Sequence, residues 1–258
     1  MAGEALLEVR GLTRRFGGLM AVDDVTLRVD AGEIYSIIGP NGAGKTTFFN
    51  LVTGVIPPSA GEITFGGVTV SGKPQHRIAD QGISRTFQTA QLLLGSTVTE
   101  NLMMGGHRIV GSGLLDALLR NRRFRGDERR IAERAEQVAQ FVGLTDLGDV
   151  AVDELSTALG QRVAIGMALM SEPRMLMLDE PTGGLRENEV DELVELIGRI
   201  RDDGTTVVLI EHKMRVVMSI SDRIAVLDHG TKIAEEVPSV VKADPLVLEA
   251  YLGAGFAT

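Results

Sequence analysis

Ile34-Tyr35-Ser36-Ile37-Ile38 runs straight into Gly39-Pro40-Asn41-Gly42-Ala43-Gly44-Lys45-Thr46, and this stretch decides the fold. The first five residues read as a buried strand. The next eight fit GxxxxGK[ST] between a predicted strand and a predicted helix, the context that gives the pattern its meaning. Glycines let successive backbone N–H groups turn inward around phosphate oxygens. The helix that follows adds its positive N-terminal end. Lys45 is expected to meet β- and γ-phosphates, and the Thr46 hydroxyl to take a place on Mg²⁺, with Thr47 next to it on the same turn. A plain Gly-rich turn is the alternative, but chance gives this pattern in a chain of this length only on the order of a per cent of the time.

Outward from that loop, short β-like runs precede it at Leu6–Val9 and Val25–Val29, and Ile63–Val70 reads as a hairpin. After about residue 95 the texture becomes helical: Ile131, Ala135, Val138, Ala139 and Val142 recur at helical spacing within Asp127–Val142, with charge on the other face. From Met175 the alternation returns, with strand Met175–Leu178, helix Glu187–Arg201, strand Thr206–Ile210, helix Lys213–Ser219 and strand Ile224–Leu227. Strand–helix alternation of this kind predicts an α/β fold with a largely parallel sheet, interrupted by a helical insertion.

Two further sites fall at strand ends. Met175-Leu176-Met177-Leu178 delivers Asp179 and Glu180 to the edge where parallel sheets bind ligands. By itself such a pair reads more often as a solvated turn. Beside a phosphate loop, Asp179 is placed to hold Mg²⁺ and Glu180 to polarise a water for in-line attack on a γ-phosphate. Thr206–Ile210 ends in Glu211-His212; a lone histidine there reads more often as structural, but after a sheet strand of a nucleotide domain His212 becomes a candidate to reach the same phosphate.

Composition narrows the partners. The 258 residues carry 26 Lys+Arg against 35 Asp+Glu, a formal charge of −9, which counts against a phosphate-backbone binder. The arginines between Arg120 and Arg134 form a local basic cluster, but few aromatics interleave for base stacking; a solvated face near anionic lipid head groups is the better reading. Apolar runs fall short of the roughly 18 residues a membrane span needs. The first residues lack the pattern of a secretory signal, and the absence of cysteine fits an intracellular setting.

With these residues in place, the chain resembles the ATP-binding subunits of ABC transporters over essentially its whole length. The resemblance implies a P-loop ABC ATPase core with an antiparallel β subdomain and an inserted α-helical subdomain. Residues 1–89 and 171–258 correspond to the RecA-like core with the β subdomain and tail, and 90–170 to the helical subdomain, all one ABC ATPase domain. It implies ATP and Mg²⁺ as ligands. Phe16, which alone reads as a core residue, becomes the aromatic that stacks on adenine. Gln88, in Arg85-Thr86-Phe87-Gln88, becomes the glutamine that contacts Mg²⁺ and begins the lever to the membrane subunit. Asp179 matches the metal aspartate, Glu180 the catalytic glutamate and His212 the switch histidine. Gly183-Gly184-Leu185 matches the loop that crosses the dimer interface. Arg14 to Leu19, Thr86-Phe87-Gln88, the long 105–144 insertion and the tail Leu248 to Gly253 resemble the branched-chain amino-acid importer ATPases. Urea and short-amide importer ATPases share much of this.

One segment departs from the family. The signature LSGGQ is followed by QQRVAI; here Gln161-Arg162-Val163-Ala164-Ile165 fixes the register, and the signature reads Leu155-Ser156-Thr157-Ala158-Leu159. Ser156 survives as a nucleotide contact, while both glycines and the glutamine are replaced, and a Cβ obstructs close backbone approach. Because family members share ATP sites across a dimer, the departure favours a heterodimer with a second ABC ATPase over a homodimer. The implied partners are permease subunits, at the cytoplasmic face of the membrane, and indirectly a solute-binding protein, with no nucleic acid. An ABC protein of repair or of iron–sulfur assembly is the non-transport alternative.

Overall fold

The computed structural model describes residues 4–86, 92–106 and 122–253. Gln88 and the whole 107–121 stretch lie outside the described residues. The described chain divides into two compact units, residues 1–85, 174–182 and 194–258 in the first and 86–173 and 183–193 in the second.

In the first unit, β1 (Ala5–Phe16) and β2 (Leu19–Asp30) form a long antiparallel hairpin, extended by β4 (Ala60–Phe65) and β5 (Val68–Thr69) into a four-stranded sheet of order β2-β1-β4-β5. The predicted Leu6–Val9 and Val25–Val29 cover only part of each strand. The strands run on through a bulged stretch: the register shifts between Val9 and Arg15, Gly11 and Asp24 adopt positive φ, and Thr26 and Thr13 hydroxyls accept from the Gly11 and Asp24 N–H groups. Side chains thus satisfy a backbone that breaks the period-two pattern.

The second sheet has six strands in the order β10-β9-β3-β8-β7-β6. β3 (Ile34–Ile38), β7 (Met175–Asp179) and β8 (Thr206–Ile210) are buried at every position, as expected where helices cover both faces of parallel strands. β6 (Ile83–Arg85) and β9 (Arg223–Asp228) complete the parallel part. β10 (Thr231–Glu236), unforeseen in the sequence, turns back antiparallel through His229 and Gly230, both at positive φ as a two-residue hairpin requires. Helices α1 (Lys45–Val52), α2 (Gln75–Ala79), α7 (Met214–Ile220), α8 (Pro238–Val241) and α9 (Pro245–Gly253) also belong to this unit; Val241 and Val247 pack with Ile38, Val217, Ile224 and Val226.

The second unit is helical. α3 (Val98–Gly105) opens with a capping box in which Thr97 and Glu100 each accept the other's backbone N–H. α4 (Arg122–Val142) starts ahead of the predicted Asp127 and buries Ala135, Val138 and Val142. α5 (Thr157–Leu169) is capped by the Ser156 hydroxyl, which accepts from the Leu159 N–H. α3 and α5 approach closely enough that a Cβ on Gly105 would lie 2.1 Å from the Met167 carbonyl oxygen. α6 (Glu187–Asp202) begins in this unit and continues into the first.

Candidate nucleotide site

The ends of β3, β8 and β7 lie side by side in the parallel sheet, and the chain leaves them as Gly39, Glu211 and Glu180. After β3 the backbone folds into a loop that only glycine permits at two points. Gly39 has φ 149° and a Cβ there would sit 2.0 Å from the Leu227 carbonyl oxygen; Gly44 has φ 97° and its Cβ would sit 2.3 Å from that of Ala21. Gly44 is also the N-cap of α1, which has no side-chain cap and no acidic residue in its first turn. The first-turn N–H groups are therefore left to an external acceptor, an arrangement suited to an anion.

Lys45 is buried and folds back on its own loop, donating to the carbonyls of Gly39 at 2.7 Å and Pro40 at 2.9 Å. Burial pushes its ammonium below the ordinary value near 10.5, opposed first by Glu180 and then by Asp179. Ala43 is buried, while Asn41, Gly42 and Thr46 are exposed and Thr47 half-buried.

Asp179 closes β7 with its carboxylate almost fully buried, and a residue the sequence reading passed over accounts for that. Arg85 at the end of β6 donates from Nη2 to Asp179 Oδ2 at 2.7 Å, the two side chains being 5% and 2% exposed. Glu180 stands at φ 48°, a left-handed conformation that costs a residue with a Cβ about 1–2 kcal/mol. Its N–H is held by the Ile210 carbonyl at 2.9 Å. The Glu180 carboxylate lies 3.8 Å from Nδ1 of His212, which is itself 3.5 Å from the Glu211 carboxylate. Glu211 accepts from the Thr182 hydroxyl and from the N–H groups of His212 and Lys213, while Lys213 Nζ donates to the Thr182 carbonyl. Thr182 and Glu211 were also missed; a carboxylate next to the histidine was visible, its burial was not.

Phe16 corrects one expectation taken from its residue type. It is 44% exposed at the tip of the β1–β2 hairpin rather than core, with the Arg14 guanidinium 4.6 Å above its ring. Ser156 belongs to the second unit, and Gln88 lies outside the described residues. The structure thus brings together Gly39 to Thr47, Asp179, Glu180 and His212 within the first unit.

The family model described as ABC transporter matches residues 22–183, a span that runs from the β1–β2 hairpin to just past the buried Asp179 and Thr182. The chain belongs to the ABC transporter family. This ABC ATPase is 43% identical over 249 residues to the high-affinity branched-chain amino acid transport ATP-binding protein BraF of Pseudomonas aeruginosa, covering 96% of this chain and 98% of that one. It is 41% identical over 251 residues to LivG of Escherichia coli, of the same description, covering 97% and 98%. Among solved structures, a nucleotide-free ATP-binding cassette of an ABC transporter superposes with a TM-score of 0.84 at 32% identity, covering 96% of this chain and 98% of that one. The ADP conformation of such a cassette matches with a TM-score of 0.84 at 31% identity, covering 96% and 99%. The fold is that of the ABC ATPases, and the ABC ATPase binds nucleotide.

Proposed function

We propose that this ABC ATPase powers an importer of branched-chain amino acids, bound peripherally to permease subunits at the cytoplasmic face of the membrane. One observation carries the reading: an uncapped helix N-terminus and a buried lysine at the end of β3 share a sheet edge with the Asp179-Glu180 pair. Likeness to BraF and LivG over nearly the whole chain supports the substrate class.

In this reading the N–H groups of residues 39–47 cradle the phosphates, and Lys45 exchanges the Gly39 and Pro40 carbonyls for β- and γ-phosphate oxygens. Phe16 offers its exposed face to adenine. Thr46 and Asp179 supply hard oxygen donors, with Gln88 as a further ligand. Among the described residues no group of three or more His, Cys, Asp and Glu forms a self-sufficient metal site. That donor set fits Mg²⁺, which keeps its waters and leans on substrate phosphates. Bound there, Mg²⁺ neutralises charge developing on the phosphates. Glu180 accepts the proton of the attacking water, and His212, next to it, contacts the γ-phosphate.

Ser156 serves the nucleotide of the opposite subunit. Its own hydroxyl is engaged by the Leu159 N–H, and Thr157, Ala158 and Leu159 stand where the family carries Gly, Gly and Gln. This supports a heterodimer with a second ABC ATPase, containing one competent and one weakened site.

Two experiments test the proposal. With permease subunits and a solute-binding protein in vesicles, ATP-dependent uptake of leucine, isoleucine and valine is expected and is abolished by Lys45→Ala; uptake of urea or short amides instead overturns the substrate class. Ala158→Gly with Leu159→Gln should raise ATPase activity of the chain on its own, and unchanged activity overturns the weakened site.

A further inference from the structure

Arg85 has no part in the roles above, yet its side chain is buried beside them and donates to three side chains. Its Nη2 donates to Asp179 Oδ2 at 2.7 Å. Its Nη1 donates to Asn50 Oδ1 at 2.7 Å and reaches Thr53 Oγ1 at 3.3 Å. The guanidinium also lies 5.4 Å from the centre of the Phe49 ring. Asn50 and Phe49 are on α1 and Thr53 is its C-cap, so a single planar group joins β6, β7 and the helix whose N-terminus carries Lys45 and Thr46.

The energetics argue against a purely structural purpose. Desolvating a buried ion pair offsets most of its attraction, and a well-packed apolar pair would hold such a core equally well. What the arrangement does supply is geometry. A carboxylate free at χ1 and χ2 samples several orientations, whereas one held at Oδ2 by a guanidinium that is itself anchored on α1 keeps one. Because Arg85 takes Oδ2, Oδ1 remains to accept from the water shell of an ion.

We infer that Arg85 is a positioning residue that references the Asp179 carboxylate to the phosphate-loop helix and so sets the Mg²⁺ dependence of nucleotide binding. This rests on the metal role given to Asp179 under the proposed function.

The experiment measures equilibrium binding of a fluorescent ADP analogue to the full chain, in EDTA and across a Mg²⁺ titration, for Asp179→Asn, Arg85→Lys and the double variant Asn50→Ala/Thr53→Val. Lysine keeps the charge beside Asp179 but, as a point donor, cannot span Asp179 and Asn50 together. The double variant removes the hydrogen bonds that anchor the guanidinium on α1 and leaves the ion pair in place, so neither strands a buried carboxylate. Both are expected to raise the Mg²⁺ concentration for half-maximal effect by about tenfold, the loss typical of an outer-shell partner, with affinity in EDTA within about twofold. If Asp179→Asn shifts the Mg²⁺ dependence while the other two do not, or if they weaken binding equally with and without Mg²⁺, the inference fails. If Asp179→Asn itself shifts nothing, the metal role of Asp179 fails and the inference falls with it.

Discussion

The Thr182 hydroxyl donates a 2.6 Å hydrogen bond to Glu211, and both residues are wholly buried. With the Lys213 ammonium on the Thr182 carbonyl, this contact clamps the segment after β7 to the segment after β8. Those segments carry Glu180 and His212. Glu211→Ala strands a hydroxyl and two N–H groups, and the unfolding free energy from urea titration is expected to fall by about 3 kcal/mol. Thr182→Val should cost about 1 kcal/mol, and the two together less than their sum because they share one contact.

The loop glycines are not equivalent. Alanine at Gly39 or Gly44 meets a carbonyl oxygen at 2.0 or 2.3 Å, and backbone there cannot yield cheaply. Gly42, at φ 81°, has open space around its Cβ position. Gly42→Ala therefore costs only the left-handed strain of about 1–2 kcal/mol, while Gly39→Ala and Gly44→Ala should abolish ADP binding in the same fluorescence assay. Equal losses at all three positions would contradict the clash argument.

Glu180 accepts a strained backbone, which makes its role separable from stability. Glu180→Gln in the assembled transporter should bind ATP normally and turn over about 10²–10⁴-fold more slowly, the range for loss of a general base. Glu180→Gly should lose turnover to the same extent while raising the unfolding free energy by about 1 kcal/mol through relief of the left-handed strain. Normal turnover in either variant removes Glu180 from the chemistry.

The chain has two tyrosines, and both resist ionisation. Burial and then the neighbouring Glu235 carboxylate, which accepts from the phenol at 2.8 Å, hold Tyr35 well above its ordinary 10.0. Burial pushes Tyr251 up to about 12. Ultraviolet titration should therefore show little tyrosinate in the folded protein at pH 10–11 and both phenols ionising near 10 after unfolding. Above pH 10 the folded state keeps protons that the unfolded state has lost, so stability should fall as pH rises through that range. Lys45 has the opposite sign. Its pKa is lowered on folding, so the cost of burying its charge is relieved as pH climbs toward 10.5.

Much of the site was legible because its signals are local. The phosphate loop, the carboxylates after β7 and the histidine after β8 are contiguous patterns at the ends of apolar runs, and β8 appears with the predicted bounds. The misses share a cause. β1 and β2 run through bulges repaired by threonine hydroxyls from across the hairpin, and β10 follows a turn whose positive φ at His229 no periodicity announces. Phe16 read as core because aromatic residues usually are; nothing local marks a ring left at a hairpin tip.

From the sequence alone came the α/β class, the loop that only glycine can shape, the resemblance to ABC ATPases and the altered signature at Thr157 to Leu159. Each is a run of neighbouring residues whose chemistry is written in order. Tertiary structure decided what holds those residues in place. Arg85 reaches Asp179 across 94 positions and Thr182 reaches Glu211 across 29. Charge and hydroxyl were visible in the chain, but which partner desolvates which depends on strands brought side by side in the sheet, and burial is what turns an ordinary arginine and glutamate into fixed supports for the site.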